Sequence, residues 1–418
     1  MLCVGLQIRI CYRPNNNTMN LYEQHPYWLM KNGIVATYPS LQQNLQVDVA
    51  IMGAGISAAL TAWHLRNSGL KVAVFDRNHA GLGSTAASTA FLQYEIDTPL
   101  SKLKNFVGEA DAVKSYELCR KAIYDIGHLC KSFKPAFDFH LRPSLQYASH
   151  KTHVADLRDE YQLRKKHGFD IDWLEQADIQ KMFGFDAPAA VFSADGGEVD
   201  AYLLTHALFN NFQEAGHKVY NNTPVHNIEH TKQGVTLNAG NNFTVKAKKL
   251  VIASGYESLQ YVPKKIADIN STYAMVSEPI ADEFFWHKNS LIWETATPYM
   301  YFRVVSENRI LIGGRDDPFH HPHIARSVIN RKTEMLQKAF LKKMPNIPLV
   351  PDFKWAGAFA STKDGLPYIG GIPERPNTYF ALGFGGNGIT FSVIAAQIIH
   401  DLIMGKKNDN ASIFRFNR

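Results

Sequence analysis

Short apolar runs bounded by glycine and polar turns recur along the chain, and their spacing predicts alternating strands and helices. Residues 46–52 (QVDVAIM) read as a buried strand, being short, apolar and rich in branched side chains. A glycine turn follows. Residues 58–67 then predict a helix, with Leu60, Trp63, His64 and Leu65 spaced for one packed face and Ser68-Gly69 closing it. Residues 71–75 (KVAVF) predict a second strand that ends at Asp76. Together these make one complete βαβ unit.

Segments 101–134 and 154–181 carry polar faces and predict mainly helix. Segments 218–225 and 235–252 predict strands and turns, with Asn238-Ala239-Gly240-Asn241-Asn242 marking a hairpin and the run 250–253 a buried strand. Alternation over 269–311 predicts a second sheet, and 330–343 an amphipathic helix. Near the end come a strand at 378–382, a glycine-rich turn at 383–388 and a strongly apolar helix at 389–404. No internal repeat or long linker interrupts the pattern, so the chain is expected to cross its domain boundaries several times.

Composition narrows the classes. The 418 residues suffice for two or three domains, and 45% hydrophobic with 20% charged residues is ordinary for a globular chain that needs no staples. Cys3, Cys11, Cys119 and Cys130 form no CxxC pair, which argues against zinc and dithiol chemistry and suits a reducing compartment. A net charge of +6 permits an acidic partner, but the basic residues are dispersed, so nucleic-acid binding is not expected. His320, His321 and His323 lack a carboxylate partner pattern and read as a polar loop; no metal is expected. No apolar run approaches the ~20 residues of a membrane span. Residues 1–20 lack the parts of a signal peptide and read as a disordered extension, with Met19 a candidate start beside Met1 and the cytoplasm the default location.

The turn Gly53-Ala54-Gly55-Ile56-Ser57-Ala58 carries the chemistry. Gly53 permits the tight turn, Gly55 admits a pyrophosphate to the backbone, and Ala58 keeps helix and strand close. The helix start offers free N–H donors and a positive dipole end. Asp76 can accept from both ribose hydroxyls and would repel a 2′-phosphate, which argues against NADP. The turn alone leaves NAD and FAD open. Residues 79–90 (HAGLGSTAASTA) are small or hydroxyl-bearing and can lie flat against an extended ligand. The second turn, 383–390 (GFGGNGIT), opens another helix whose N–H groups can hold the anionic edge of a reduced flavin. The two glycine motifs together favour FAD.

These segments resemble the D-amino acid oxidase family of FAD oxidoreductases, which includes glycine, sarcosine and glutamylputrescine oxidases. The likeness runs over about 47–406 and rests on 48–58, 74–77, 83–90, 197–200 (GEVD), 251–255, 362–370 (TKDGLPYIG) and 383–389. It implies an α/β fold: a Rossmann-like FAD-binding domain on a parallel sheet core, and a second α+β substrate domain on a mixed, largely antiparallel sheet. The implied division is an extension, 1–44, partly disordered; an FAD-binding domain, 45–100, 195–258 and 355–408; and a substrate domain, 101–194 and 259–354. Implied FAD contacts are Gly53, Ala54, Gly55, Ile56, Ser57, Asp76, Arg77, Gly83, Ser84, Thr85, Ala87, Ser88, Val225, Ala253, Gly255, Asp364, Gly385, Gly386, Asn387, Gly388, Ile389 and Thr390.

The implied reaction is loss of hydride from the α-carbon of a neutral amine or amino acid to flavin N5, then imine hydrolysis, with oxygen or another acceptor reoxidising the flavin. One departure matters. Amino-acid oxidases of the family often carry Gly-Leu-Arg-Pro before the Asp-Gly-x-Pro motif, and its arginine clamps the substrate carboxylate. Here Ala358-Phe359-Ala360 follows Gly357. Phe359 cannot form that bidentate bond, so either the substrate lacks the carboxylate or another cation binds it. Arg303 is one candidate, on an expected strand whose alternation puts it on the face of Tyr301; Arg315 is another, with a surface pairing to Asp316 or Asp317 as its alternative. No cysteine follows Cys130, so FAD is expected to be noncovalent. The competing readings are an NAD-linked dehydrogenase and an FAD oxidase acting on a modified tRNA base.

Overall fold

The βαβ unit forms as strand Leu45–Met52, helix Ile56–Leu65 and strand Val72–Phe75. The computed structural model describes residues 22–133, 137–319 and 324–418, so Met1, Met19, Cys3, Cys11, His320, His321 and His323 lie outside the described residues. Strand Leu45–Met52 is flanked in parallel by Val72–Phe75 and by Phe243–Ile252, and Lys218–Tyr220 and Thr378–Leu382 extend the parallel core on either side. Val49, Ala50 and Ile51 have no exposure, as expected where both faces of a parallel sheet are covered. Helices Ile56–Leu65, Ala201–Glu214 and Gly388–Ile403 pack together over one face. A meander, Val225–His230, Val235–Ala239 and Phe243–Ile252, turns at the expected hairpin, where Ala239 pairs with Phe243.

The second sheet has nine strands in the order Tyr22–Gln24, Pro351–Thr362, Ala267–Ser277, Arg309–Pro318, Met300–Val305, Leu291–Glu294, Ser144–Tyr147, Ala189–Ser193 and Ile171–Glu175. Every pair is antiparallel except Leu291–Glu294 with Ser144–Tyr147. Side chains alternate between its faces. Tyr301, Val305, Leu311 and Trp355 turn toward the helical layer of the first sheet, while Met300, Phe302, Ile312 and Ala356 pack against helix Arg326–Lys343. Among the described residues, no helix is long and apolar enough to cross a membrane.

Within the expected extension, Tyr22–Gln24 is an edge strand, and helix Tyr27–Asn32 buries Tyr27 and Trp28, whose apolar area favours ordering of the segment. The helical reading of 154–181 is broken by strand Ile171–Glu175, because Gly168 leaves helix Val154–Lys166 with a φ of 77°. Helix Glu109–Lys131 packs on helix Gly388–Ile403, beside the parallel sheet, and strand Pro351–Thr362 runs through the boundary placed at 355.

Candidate functional site

A cavity of about 480 Å³ runs between the glycine turns of the first sheet and the inner face of the second. At one end Gly53 has a φ of 100°, and a Cβ there would stand 2.5 Å from the carbonyl oxygen of Ala253, a backbone atom that cannot yield. The Ala54 N–H donates to Asp76 Oδ2 (2.7 Å) and the Asn78 N–H to Oδ1 (2.8 Å), so the carboxylate is fixed at the strand end. Burial still pushes Asp76 up; these two amides oppose it. Thr85 Oγ1 accepts from the Ile56 N–H at 3.0 Å, and a Cβ on Gly55 would meet the same oxygen. Ser84 Oγ is buried with no partner. Arg77 pairs with Glu257 at 2.7 Å and ties the turn Gly255–Tyr261 to the end of the Asp76 strand; burial pushes Glu257 up to about 7 against the pull of Arg77.

Helix Gly388–Ile403 begins beside helix Ile56–Leu65, and Ser57 Oγ and Ser392 Oγ lie 2.7 Å apart across them. The two glycine turns, far apart in sequence, thus open into one space. Gly53, Ala54, Gly55, Ile56, Ser57, Asp76, Arg77, Gly83, Ser84, Thr85, Ala87, Ser88, Val225, Ala253, Gly255, Gly385, Gly386, Gly388 and Ile389 all line it. Three expected contacts do not. Asp364 turns away to Arg418, with Nε 2.7 Å from Oδ2. Asn387 Nδ2 donates to the carbonyls of Gln93 and Glu95, and Thr390 Oγ1 donates to Asn387 O. These side chains hold the turns in shape.

The far end is walled by the second sheet. Thr272, Ala274, Trp355, Gly357 and Phe359 come from alternate positions of adjacent strands, and Tyr299, Tyr301 and Asp316 complete the wall. Gly313 makes room for Tyr301: a Cβ there would lie 2.3 Å from the ring. Gly313→Ala is therefore expected to displace that ring and to lower turnover roughly tenfold, the scale of an overpacked contact. FAD content should stay at the wild-type level, and a parallel loss of FAD would mean the effect is not local.

Neither arginine reaches this wall. Arg303 shares the face of Tyr301, as alternation predicts, but lies behind Thr89. Its Nη1 is 2.8 Å from Glu198 Oε2, and Nε and Nη2 both donate to Thr89 O. Arg315 is turned out by a β-bulge. Across strands Ala267–Ser277 and Arg309–Pro318, Ser271 pairs with Asp317 and Tyr273 with Gly314, so one residue is extra on the second strand, and Arg315 takes a φ of 60°. Strict alternation from Gly313 would send Arg315 inward; the bulge sends Asp316 instead. Asp316 Oδ1 is buried without a partner, and burial pushes its carboxyl up to about 6. The pairing of Arg315 with Asp316 or Asp317 does not form either: Asp317 pairs with Lys332 at 2.7 Å.

Sequence reasoning missed Tyr256, Tyr299, Asp316 and Asp97. Asp97 stands beside the C-terminal turn, where its Oδ2 accepts from the Gly386 N–H at 2.8 Å, and enclosure by protein pushes it up. Burial raises Tyr299 well above its usual range, reinforced by Asp97 and Asp316. A signal for Asp316 was present: Gly313-Gly314 ahead of a charged triplet marks a strand able to bulge. Among the described residues, no cluster of metal-ligating side chains occurs.

Residues 48–402 match the family model described as DAO, FAD dependent oxidoreductase. The glycine oxidase of Geobacillus kaustophilus is 26% identical over 86% of this chain and 93% of its own length. The gamma-glutamylputrescine oxidoreductase of Escherichia coli is 22% identical over 91% of this chain and 88% of its own. The crystal structure of the Geobacillus kaustophilus glycine oxidase superposes with a TM-score of 0.74 at 22% identity, covering 88% of this chain and 96% of that one.

Proposed function

Since the chain belongs to the DAO family of FAD-dependent oxidoreductases, we propose that FAD lies along this cavity and that the enzyme oxidises the C–N bond of an amine or amino acid at its far end. The observation that carries the reading is the meeting of both glycine turns and a tyrosine-lined sheet face in one cavity. The membership also retires the NAD-linked alternative.

The donor set suits the cofactor. The turn at Gly53 sets the start of helix Ile56–Leu65 against the cavity, where a pyrophosphate would meet the positive end of the helix, and the unpartnered Ser84 hydroxyl supplies a donor. Asp76, already held by two amides, has lone pairs left for ribose hydroxyls. Bound there, FAD would supply the acceptor for a hydride from the carbon next to the amine nitrogen. The chain's own part is placement. Trp355 is pinned by its Nε1 donating to Ala87 O at 2.9 Å, and Tyr301 receives a hydrogen bond from Thr89 Oγ1 at 3.2 Å. Rings held in this way fix the substrate's orientation and limit water at the reacting carbon. We assign the cofactor contacts to the lining residues named above, and the substrate contacts to Tyr256, Tyr299, Tyr301, Asp316 and Phe359. On this reading the parallel-sheet layer, with helix Glu109–Lys131, forms the cofactor domain, and the nine-stranded sheet forms the substrate domain.

We infer that FAD is held noncovalently: among the described residues no cysteine lines the cavity, and its histidines, His79 and His226, sit at the Asp76 end, with His79 Nδ1 3.1 Å from Asn221 Nδ2 and His226 Nε2 3.0 Å from Gly240 O. Acid precipitation of the purified protein is expected to leave the flavin in the supernatant; flavin in the pellet would contradict this. Incubation with a primary amine substrate and an artificial two-electron acceptor should yield a carbonyl product and ammonia in equal amounts, water supplying the carbonyl oxygen. A flavin-loaded enzyme that turns over only alcohols or hydroxy acids would overturn the proposed reaction.

A further inference from the structure

We infer that the substrate end of this cavity is built for an amine that carries a second, cationic group and no α-carboxylate, with Asp316 as the anchor for that charge and Tyr299 and Tyr301 as its aromatic sides. The inference rests on the proposed reaction and narrows its substrate class. It begins with the bulge. The extra residue at Arg315 exchanges the guanidinium that alternation would bring inward for a carboxylate. The charge at the pocket wall is thereby reversed.

The surroundings agree with that sign. Among the described residues, no arginine or lysine lines the substrate end; the one arginine of the cavity, Arg77, lies at the Asp76 end and pairs with Glu257. Lys332, which acts on Asp316, is committed on the opposite face of the sheet. It pairs with Asp317 at 2.7 Å, donates to Arg315 O at 2.8 Å and stands 4.9 Å over the Tyr273 ring. Phe359 occupies the position where a carboxylate clamp is expected in amino-acid oxidases. The Asp316 carboxyl takes a hydrogen bond from Thr272, yet its Oδ1 is left buried without a partner, and a cation beside that oxygen offsets the cost of burying it. Asp316 is the carboxylate of the substrate end, and Asp97, beside the C-terminal turn, adds negative potential near Tyr299, so a positive charge entering there meets no opposing cation. The rings of Tyr299 and Tyr301, with centroids 5.7 Å apart, add aromatic faces that favour cations. A carboxylate in the same place would face Asp316 with no counter-charge.

The test uses the full chain loaded with FAD and three small probes of positive, negative and no charge: butyltrimethylammonium, butyrate and butanol. Binding is read by calorimetry and by perturbation of the flavin absorption. The quaternary ammonium is expected to bind at least about tenfold more tightly than butyrate, and Asp316→Asn to lose about that factor for the cation alone. Asp316→Glu should retain the preference. Phe359→Arg, on a different strand, should reverse it. Equal or tighter binding of butyrate, or unchanged cation affinity in Asp316→Asn with normal FAD content, overturns the inference. A chain that retains no FAD contradicts the cofactor reading instead, and calorimetry with the same probes still decides the charge preference.

Discussion

Gly53→Val is expected to abolish FAD retention while the rest of the chain still folds. The residue holds a φ of 100°, where any side chain is strained by ~1–3 kcal/mol. The added Cβ would also press on three backbone atoms of Ala253 and Ser254 at 2.5–2.8 Å, and overpacking against backbone costs about as much again. The strain falls on the turn between strand Leu45–Met52 and helix Ile56–Leu65, so the amide edge proposed for the pyrophosphate is displaced. Gly69→Ala is the control. Its φ of 77° is also unfavourable, but no atom lies within 4 Å of the new Cβ. It should lose about 1 kcal/mol of stability and keep its FAD. Flavin content per chain, measured after desalting, distinguishes the two; equal content in both variants would remove Gly53 from the cofactor cradle.

The second large effect is on stability. Arg303→Ala is expected to destabilise the fold by about 3 kcal/mol, the lower end for breaking a buried ion pair by removing one partner. Arg303 and Glu198 side chains are only 2% and 6% exposed. Arg142, 2.9 Å from Glu198 Oε1, remains to compensate part of the charge, which keeps the loss from being larger. The substitution also strips two hydrogen bonds from Thr89 O, on the loop whose hydroxyl reaches Tyr301. Lysine should rescue little, since one ammonium cannot serve Glu198 and Thr89 together. A lowered unfolding midpoint in denaturant, with no preferential loss for carboxylated substrates, is the expected outcome. Wild-type stability combined with a selective rise in KM for carboxylated amines would restore Arg303 as a substrate clamp.

What was legible in the sequence follows from where the information is local. The βαβ unit and its acidic strand end are set by neighbours within a few turns of chain, and Leu45–Met52, Val72–Phe75 and Asp76 stand where the pattern places them. The C-terminal turn was equally readable, because glycine spacing and an apolar helix lie side by side. The substrate wall was not. Asp316 faces inward only because of a bulge, whose register depends on the partner strand Ala267–Ser277. Arg303 was placed on the correct face, yet its partner Glu198 is 105 residues away in sequence. The edge strand Tyr22–Gln24 was hidden for the same reason, since it pairs with residues 355–357. Asp364, Asn387 and Thr390 sit inside the right motifs, but their side chains serve the loops rather than the cavity.

The most direct test of the account is reduction of the bound flavin without oxygen. The FAD-loaded chain, held anaerobically, is titrated with a diamine, a matched amino acid and a matched alcohol. Bleaching of the flavin band by the diamine to one equivalent of substrate per flavin is expected, with slower bleaching by the amino acid and none by the alcohol. Reduction by the alcohol, or a flavin that no amine bleaches, would contradict it.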